Sequence, residues 1–262
     1  MYNFVITGIA KNEDVYLSEW ICFHRAIGAE KIYIYDNDSD IPIKQSMKKY
    51  IDAGWIEVID FPGRGLQTMA YTHFIKEYGP QTKWVGIIDC DEYLVPKQCN
   101  SVPEFLEKFG FYGGLAVSWK IFGSNGHIQK PDGLTIENYT LGSTNQNVHN
   151  RHIKTICQPA KTMRAGRDPH HCIYNDGLFA VNEHHQYVRG PFSPPSQDFI
   201  QCNHYIVRSF EEYQVKLTRG RADTANLALP GRRAEEFEEF NSFPEEDKSA
   251  LRFADKMKAM ML

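Results

Sequence analysis

The sequence predicts an α/β fold built on a mainly parallel, nucleotide-binding sheet flanked by helices and followed by a loop-rich half. Three observations predict it. Four short β-favouring stretches at residues 3–8, 31–35, 55–59 and 84–88 alternate with helical segments, and parallel neighbours need such crossovers. The fourth, Trp84-Val-Gly-Ile-Ile88, is a continuous apolar run and ends in Asp89-Cys-Asp-Glu92, as a strand covered on both faces with a polar carboxyl end would. Beyond Pro96 the alternation stops, and glycine, proline, histidine and polar residues dominate from about 122 to 198, a composition suited to binding loops.

In chain order, residues 3–8 form the first buried strand. Lys11-Asn-Glu-Asp14 then opens a helix whose Leu17, Trp20, Ile21, His24 and Ile27 fall at helical spacing and which Gly28 ends. Acids in the first turn suit the positive end of a helix, so capping is the plain reading of Glu13 and Asp14. The strand at 31–35 stops at Asp36-Asn-Asp-Ser-Asp40, a run of turn formers. Asp40 and Pro42 begin a helix to about 52, a third strand follows at 55–59, and a helix over 67–78 leads into the acidic strand. No GxGxxG is present, which disfavours the usual dinucleotide fold.

After Pro96, Ser101-Val-Pro-Glu104 starts a short helix to 109, and residues 115–119 form a strand. Further strands are expected at 134–139, 153–157, 178–181 and 200–207, and a helix at 210–220. From 234 onward the chain is charged and helical, with Leu251, Phe253, Ala254, Met257, Met260 and Met261 on one rough face. Such a face docks on the same or a neighbouring subunit more often than on a membrane, although it leaves peripheral attachment open.

Composition narrows the function classes. The 262 residues carry 42% hydrophobic content and a net charge of −4, which supports a packed core and offers no basic excess for nucleic acid. Six cysteines without a CxxC pair point to reduced thiols in the cytoplasm. The N-terminal residues lack the basic and apolar regions of a signal peptide, and no run approaches about 18 apolar residues, so no spanning segment is expected.

Chemistry gathers at the end of the fourth strand. In an extended chain Asp89 and Asp91 share a side, with Cα atoms about 6.6 Å apart at roughly 3.3 Å per residue. Oxygen ligands of this kind select Mn²⁺ or Mg²⁺ over zinc, and one of the ten histidines could complete the shell. Lys154, Lys161, Arg164 and Arg167 read equally well as a solvated face or as counter-charge for a pyrophosphate leaving group. Phe122-Gly-Ser-Asn-Gly-His127 is either a simple turn or, with Trp119, a sugar-stacking surface. The motif Arg-Gly-Arg-Ala-Asp-Thr at 219–224 and the pair at 232–233 form a lid or an exposed loop.

Taken in order, several pieces resemble glycosyltransferase family 92 and its bacterial relatives. They are Ile9-Ala-Lys-Asn-Glu13, Glu19-Trp20 with His24, Tyr35-Asp-Asn-Asp-Ser39, Ile88-Asp-Cys-Asp-Glu-Tyr-Leu94, Trp119 with Phe122-Gly-Ser-Asn-Gly-His127, Glu137-Asn-Tyr139, Lys154-Thr-Ile156 with Pro159, and Asn203-His-Tyr205 with Arg219-Gly220. The resemblance implies a GT-A fold, a Rossmann-like nucleotide-diphosphosugar-binding sheet with an acceptor half. It divides the chain into a transferase domain at 1–233 (donor half about 1–98, acceptor half about 99–233) and a helical tail at 234–262. Better-known members are inverting galactosyltransferases that use a UDP-sugar.

Carried onto this chain, the resemblance puts Ala10, Lys11, Asn12 and Glu13 around the nucleoside, and Asp36 near the uracil or ribose. Asp89 and Asp91 become the DxD pair on ribose and metal, with Gln67, Cys90, Lys154 and His204 completing the donor set. His170, chosen over His171, joins Asp89 and Asp91 as a metal ligand. Trp119, Phe122, Gly123, Ser124, Asn125 and Gly126 line the acceptor side. Cys157-Gln158 departs from the family pattern, in which relatives tend to have an apolar residue and an arginine there, so any phosphate contact of that arginine passes to Lys154 or Lys161. No later acidic motif announces the base, which leaves His127, Asp132 and Glu212.

The reaction expected is transfer of a hexose, galactose favoured, from a UDP-sugar to a glycan acceptor, with inversion and with Mn²⁺ or Mg²⁺. A cytoplasmic setting, at the inner face of the membrane if the tail attaches there, goes with it. The rivals are a metal-dependent nucleotidyltransferase or phosphohydrolase, which would release pyrophosphate or phosphate, and a non-catalytic UDP-sugar-binding protein.

Overall fold

The computed structural model describes residues 1–219 and 234–261. The arginine-rich motif beyond 219 and the pair at 232–233 lie outside the described residues. The first half contains β1 (Tyr2–Ala10), α1 (Asp14–Ala26), β2 (Lys31–Asp36), α2 (Ile43–Ser46), α3 (Lys48–Asp52), β3 (Ile56–Asp60), α4 (Gln67–Glu77), β4 (Thr82–Ile87) and β5 (Glu92–Pro96). Then come α5 (Val102–Leu106), β6 (Gly114–Ile121), α6 (Thr135–Asn138), β7 (Leu141–Gly142), β8 (Ile153–Cys157), β9 (Thr162–Ala165), β10 (Cys172–Tyr174), β11 (Ala180–Val181), β12 (Tyr187–Val188) and β13 (Ile200–His204). The chain closes with α7 (Phe210–Arg219), α8 (Glu235–Phe240), β14 (Glu245–Glu246) and α9 (Ala254–Lys258).

The expected parallel unit is present. β3, β2, β1 and β4 lie side by side with parallel registers, Gly8 opposite Ile34 and Thr7 opposite Ile87 among them. The sheet continues through β8, antiparallel to both β4 and β6, into the second half of the chain. β13 runs parallel to β6 and antiparallel to β5, so it carries His204 back beside Glu92. Gly8 permits a close passage, because a Cβ there would stand 2.6 Å from the Ile88 carbonyl oxygen.

Three expectations need correction. The stretch at 134–139 is a helix rather than a strand, because the Glu19 carboxylate on α1 accepts the N–H groups of Thr135 and Ile136 and so satisfies a helix start. The helix expected over 42–52 is broken in two at Met47. The acids after the fourth strand are not extended. β4 ends at Ile87, the Glu92 N–H closes a turn on the Asp89 carbonyl at 3.0 Å, and β5 starts at Glu92. The alternation that would put Asp89 and Asp91 on one side therefore does not apply.

α1 packs its predicted stripe inward, with Leu17, Trp20, Ile21 and His24 fully buried. The tail docks on the same chain. Phe253 meets Phe23 at a ring distance of 5.8 Å, Lys256 donates to the Ala26 carbonyl, and Met257 is fully buried. The apolar face of the tail is thus largely spent inside the fold. Among the described residues no helix is long and apolar enough to cross a membrane, and the six cysteines form no disulfide.

Two outcomes follow. Met257→Ala should lower stability by about 3 kcal/mol, the usual scale for truncating a buried methionine, measurable by denaturant unfolding. His24 is enclosed, bonds through Nδ1 to the Trp20 carbonyl at 2.9 Å, and burial pushes its pKa down to about 3. The unfolded chain therefore binds a proton between pH 6.5 and 3 that the folded chain refuses, and stability falls as pH drops through that window. This group alone should remove about 2 kcal/mol between pH 7 and pH 5. His24→Phe should flatten that slope, and an unchanged slope would rule out His24 as its source.

Candidate active site

The acidic turn between β4 and β5 is held from beneath. Trp20, projecting from α1, donates its indole N–H to the carbonyls of both Asp89 and Glu92, each at 3.0 Å. The Cys90 thiol points to the Ile9 carbonyl at 3.8 Å, which ties the turn to the end of β1. Glu92 accepts the Asp89 N–H through Oε2 at 2.9 Å and lies fully buried. Its role is thereby visible: it fixes the turn from inside and faces no solvent.

Charge divides the acids into two groups. Lys154, fully buried on β8, stands 2.7 Å from Asp89 Oδ2 and 3.1 Å from Glu92 Oε2. Gln67 and Tyr71, both on α4, donate to Asp89 Oδ1 at 2.8 and 2.9 Å. Burial would raise the Asp89 pKa, but Lys154 and the hydrogen bonds hold it below the usual carboxylate value. Glu92, enclosed and sharing the same ammonium, is pushed up to about 8 by burial. One lysine cannot compensate both acids in a buried cluster, and the more deeply enclosed one keeps its proton.

Asp91 has a separate set of partners. Lys216, buried on α7, donates to its Oδ2 at 2.7 Å and to the Ile206 carbonyl at 2.8 Å. His204 Nε2 lies 3.6 Å from Asp91 Oδ1, and the Tyr205 N–H donates to the Asp91 carbonyl. Lys216 did not emerge from sequence reasoning. The signal was there in principle, since a lysine three residues after buried Tyr213 sits on the inner stripe of a helix, where it needs a partner.

His170 borders the Asp89 group. Its Nδ1 meets the Ile153 carbonyl at 3.1 Å, which favours the tautomer with Nδ1–H and leaves a lone pair on Nε2. Burial, with Lys154 beside it, lowers its pKa to about 2. Trp119 sits at the centre of three imidazoles: His152 stacks on it at 4.6 Å, His170 meets its edge at 4.9 Å, and His204 lies at 4.3 Å. One indole face is therefore covered by His152.

The predicted nucleoside loop is ordered by its own polar groups. Asn12, with φ 52°, exchanges side-chain hydrogen bonds with Asp40 and donates its backbone N–H to Ser39 Oγ. Asp36 accepts the N–H groups of Ser39 and Ile43, and the Asn37 N–H returns to the Ala10 carbonyl. Lys11 and Glu13 stand in the same loop, Glu13 buried. Arg208, fully buried with φ 55°, lays its guanidinium over Tyr16 at 3.6 Å; burial alone would lower its pKa, but the neighbouring charge of Glu13 and other acidic groups raises it.

The residues expected on the acceptor side do not form an open wall. Phe122 is buried against Tyr205 at 5.0 Å. A Cβ on Gly123 would stand 2.5 Å from the Asn241 carbonyl oxygen, and Ser124 donates to Asn241 through its N–H and its Oγ. Asn125 binds Thr140 and Leu141, while Gly126 donates to Ser124 Oγ. These residues dock the C-terminal segment, and the surface notch begins at Gly126 and runs through His127 to Asp132.

The three base candidates differ. Glu212 accepts from Tyr16, Tyr139 and Ser209, and the Ser209 and Tyr139 bonds outweigh burial to lower its pKa. Such a carboxylate is an anchor with little basicity to spare. The His127 ring meets the Tyr139 ring edge at 5.7 Å, and Asp132 is exposed. Of the basic cluster, Lys161 donates to the carbonyls of Gly110 and Tyr112, away from the turn, and Arg164 to that of Ala165.

Among the described residues, the group of three acidic or imidazole ligand atoms within 4.8 Å of one another is Glu183, His184 and Asp198. There Glu183 accepts from Ser196, Asp198, Phe199 and Ile200, which makes it a loop clasp. Asp89, Asp91 and His170 are not gathered so tightly. Their donor set still suits a hard divalent cation: two carboxylates and an imidazole whose second nitrogen is tied to a carbonyl.

Comparison with known proteins supplies the lineage. Residues 6–250 match the family model for glycosyltransferase family 92. A family 92 protein of Ricinus communis is 27% identical over 228 residues, covering 82% of this chain and 37% of that protein. One of Oryza sativa subsp. japonica is 24% identical over 229 residues, covering 85% and 36%. The chain spans a little over a third of the length of these relatives. Among solved structures, S. aureus TarS 1–349 in complex with UDP-GlcNAc aligns with a TM-score of 0.42 and 14% identity, over 72% of this chain and 60% of that one. With a match to the family model over nearly its whole length, the chain belongs to glycosyltransferase family 92.

Proposed function

We propose that this chain transfers a hexose, galactose favoured, from a UDP-sugar to a hydroxyl of a glycan acceptor, with inversion. The observation that carries the reading is the Asp89-Cys-Asp91 turn at the carboxyl end of a parallel sheet in a family 92 chain, with a buried lysine on each aspartate. Ligands of open α/β sheets bind at that edge. The loop from Ala10 to Glu13, with Asp36 behind it, would receive the nucleoside, and Asp89, Gln67 and Lys154 would face the ribose and diphosphate.

Asp91, with His170 or His204, would hold Mn²⁺ or Mg²⁺. When bound, such a cation would stabilise the charge that develops on departing UDP. The protein's own part is independent of that ion. Lys154 and Lys216 supply fixed positive charge where the leaving diphosphate forms, in a region already removed from water, so little reorganisation is needed at the moment of transfer. Trp20 and Glu92 keep the turn rigid, and Trp119, His152 and His204 wall the site. For proton removal from the acceptor hydroxyl, His127 is favoured over Glu212, whose oxygens are engaged, and it borders the notch that runs to Asp132.

A panel of UDP-sugars tested for slow hydrolysis with Mn²⁺ should give UDP and free hexose from one preferred donor. Asp91→Asn should cut that rate by about 100-fold, the scale for removing one charge-stabilising group, in protein whose folded state is checked by circular dichroism. Release of pyrophosphate or phosphate would instead favour a nucleotidyltransferase or phosphohydrolase. Full activity in Asp91→Asn would remove the turn from the mechanism.

A further inference from the structure

We infer that the acidic turn is a lysine-closed site, in which a divalent cation and a nucleoside diphosphate enter together because each opens the site for the other. This rests on the donor reading above and goes beyond it, because it concerns what the lysines do before any ligand arrives. Each of the two aspartates of the turn has one carboxylate oxygen 2.7 Å from a buried ammonium, Lys154 for Asp89 and Lys216 for Asp91. Neither lysine is a surface group that drifts away. Lys154 is fully buried and also pairs with Glu92, while Lys216 is anchored by the Ile206 carbonyl.

Consider a divalent cation alone. To gain Asp91 Oδ2 it must push aside Lys216, which leaves a buried ammonium facing a second positive charge with one acceptor fewer. Buried charges stripped of partners are strongly disfavoured, so the bare ion binds weakly. A diphosphate arriving with it changes the exchange. Its oxygens accept from Lys154 and Lys216, and the carboxylates are released toward the cation without any charge being left unpaired. No covalent step is involved; the two ammonium groups trade a carboxylate oxygen for a phosphate oxygen. By linkage, the factor by which the nucleotide tightens the metal equals the factor by which the metal tightens the nucleotide.

The lysines therefore act as positioning residues with an effect of opposite sign on the two ligands. Removing Lys216 should make Asp91 a better site for a bare ion and a worse one for a metal-free diphosphate. A lysine that merely supported the fold would weaken both together.

Calorimetry on the full chain decides it, with MnCl₂ alone, UDP alone, and MnCl₂ titrated into protein saturated with UDP. In the wild type, saturating UDP should tighten Mn²⁺ at least 10-fold. In Lys216→Met, and in Lys216→Gln as an independent variant, Mn²⁺ alone should bind at least 10-fold more tightly than to the wild type, while UDP without metal binds more weakly. Wild-type protein that binds Mn²⁺ equally well with and without UDP would overturn the inference, whatever the variants do, and would leave the donor reading standing. So would folded variants that bind Mn²⁺ no better than the wild type. Failure of UDP to bind with or without Mn²⁺ would sink the donor reading itself, and this inference with it.

Discussion

The ion pair of Lys154 with Asp89 and Glu92 is the interaction on which the rest of the site depends. It joins β8, which comes from the second half of the chain, to the turn that closes the first half, and it does so with no solvent at the ammonium. Burying a charged pair is costly, and breaking one partner of it costs more than the pair contributes. The arrangement is tolerable because every member has further partners: Gln67 and Tyr71 for Asp89, and the Asp89 N–H for Glu92. The raised pKa of Glu92 completes the balance by leaving the most enclosed acid protonated near neutrality.

Around that pair the chain assembles from distant segments. Trp20 reaches the turn from α1, and Lys216 and His204 reach it from the last part of the sheet and the helix after it. The tail then packs behind α1, through Phe253 and Met257, and against Gly123 and Ser124 through Asn241. A stretch that would otherwise offer an open wall for a sugar is thereby turned into a support. The notch lined by Gly126, His127 and Asp132 follows it in the chain.

How much of this was legible in the sequence depended on whether the signal was local. The four parallel strands and α1 were, because buried runs and helical spacing are properties of neighbouring residues. Asp89 and Asp91 were also visible as a pair, yet their separate partners were not, since a turn closed by Glu92 replaced the extended chain. The helix at 135–138 was missed because its cap is the carboxylate of Glu19, more than a hundred residues earlier. Lys216 was missed for the same reason, its partner lying 125 positions away. Family resemblance supplied the order of the motifs, and the structure added which charges they meet.

The central claim is that the Asp89–Asp91 turn, with its two lysines, is where the nucleotide and its metal meet. Anomalous diffraction from crystals soaked in Mn²⁺, with and without UDP, tests it most directly. The account predicts a manganese peak beside Asp91 only when UDP is present, with the Lys216 ammonium shifted from the carboxylate to a phosphate oxygen. A peak at another group of side chains, or one beside Asp91 at equal strength without nucleotide, would contradict it.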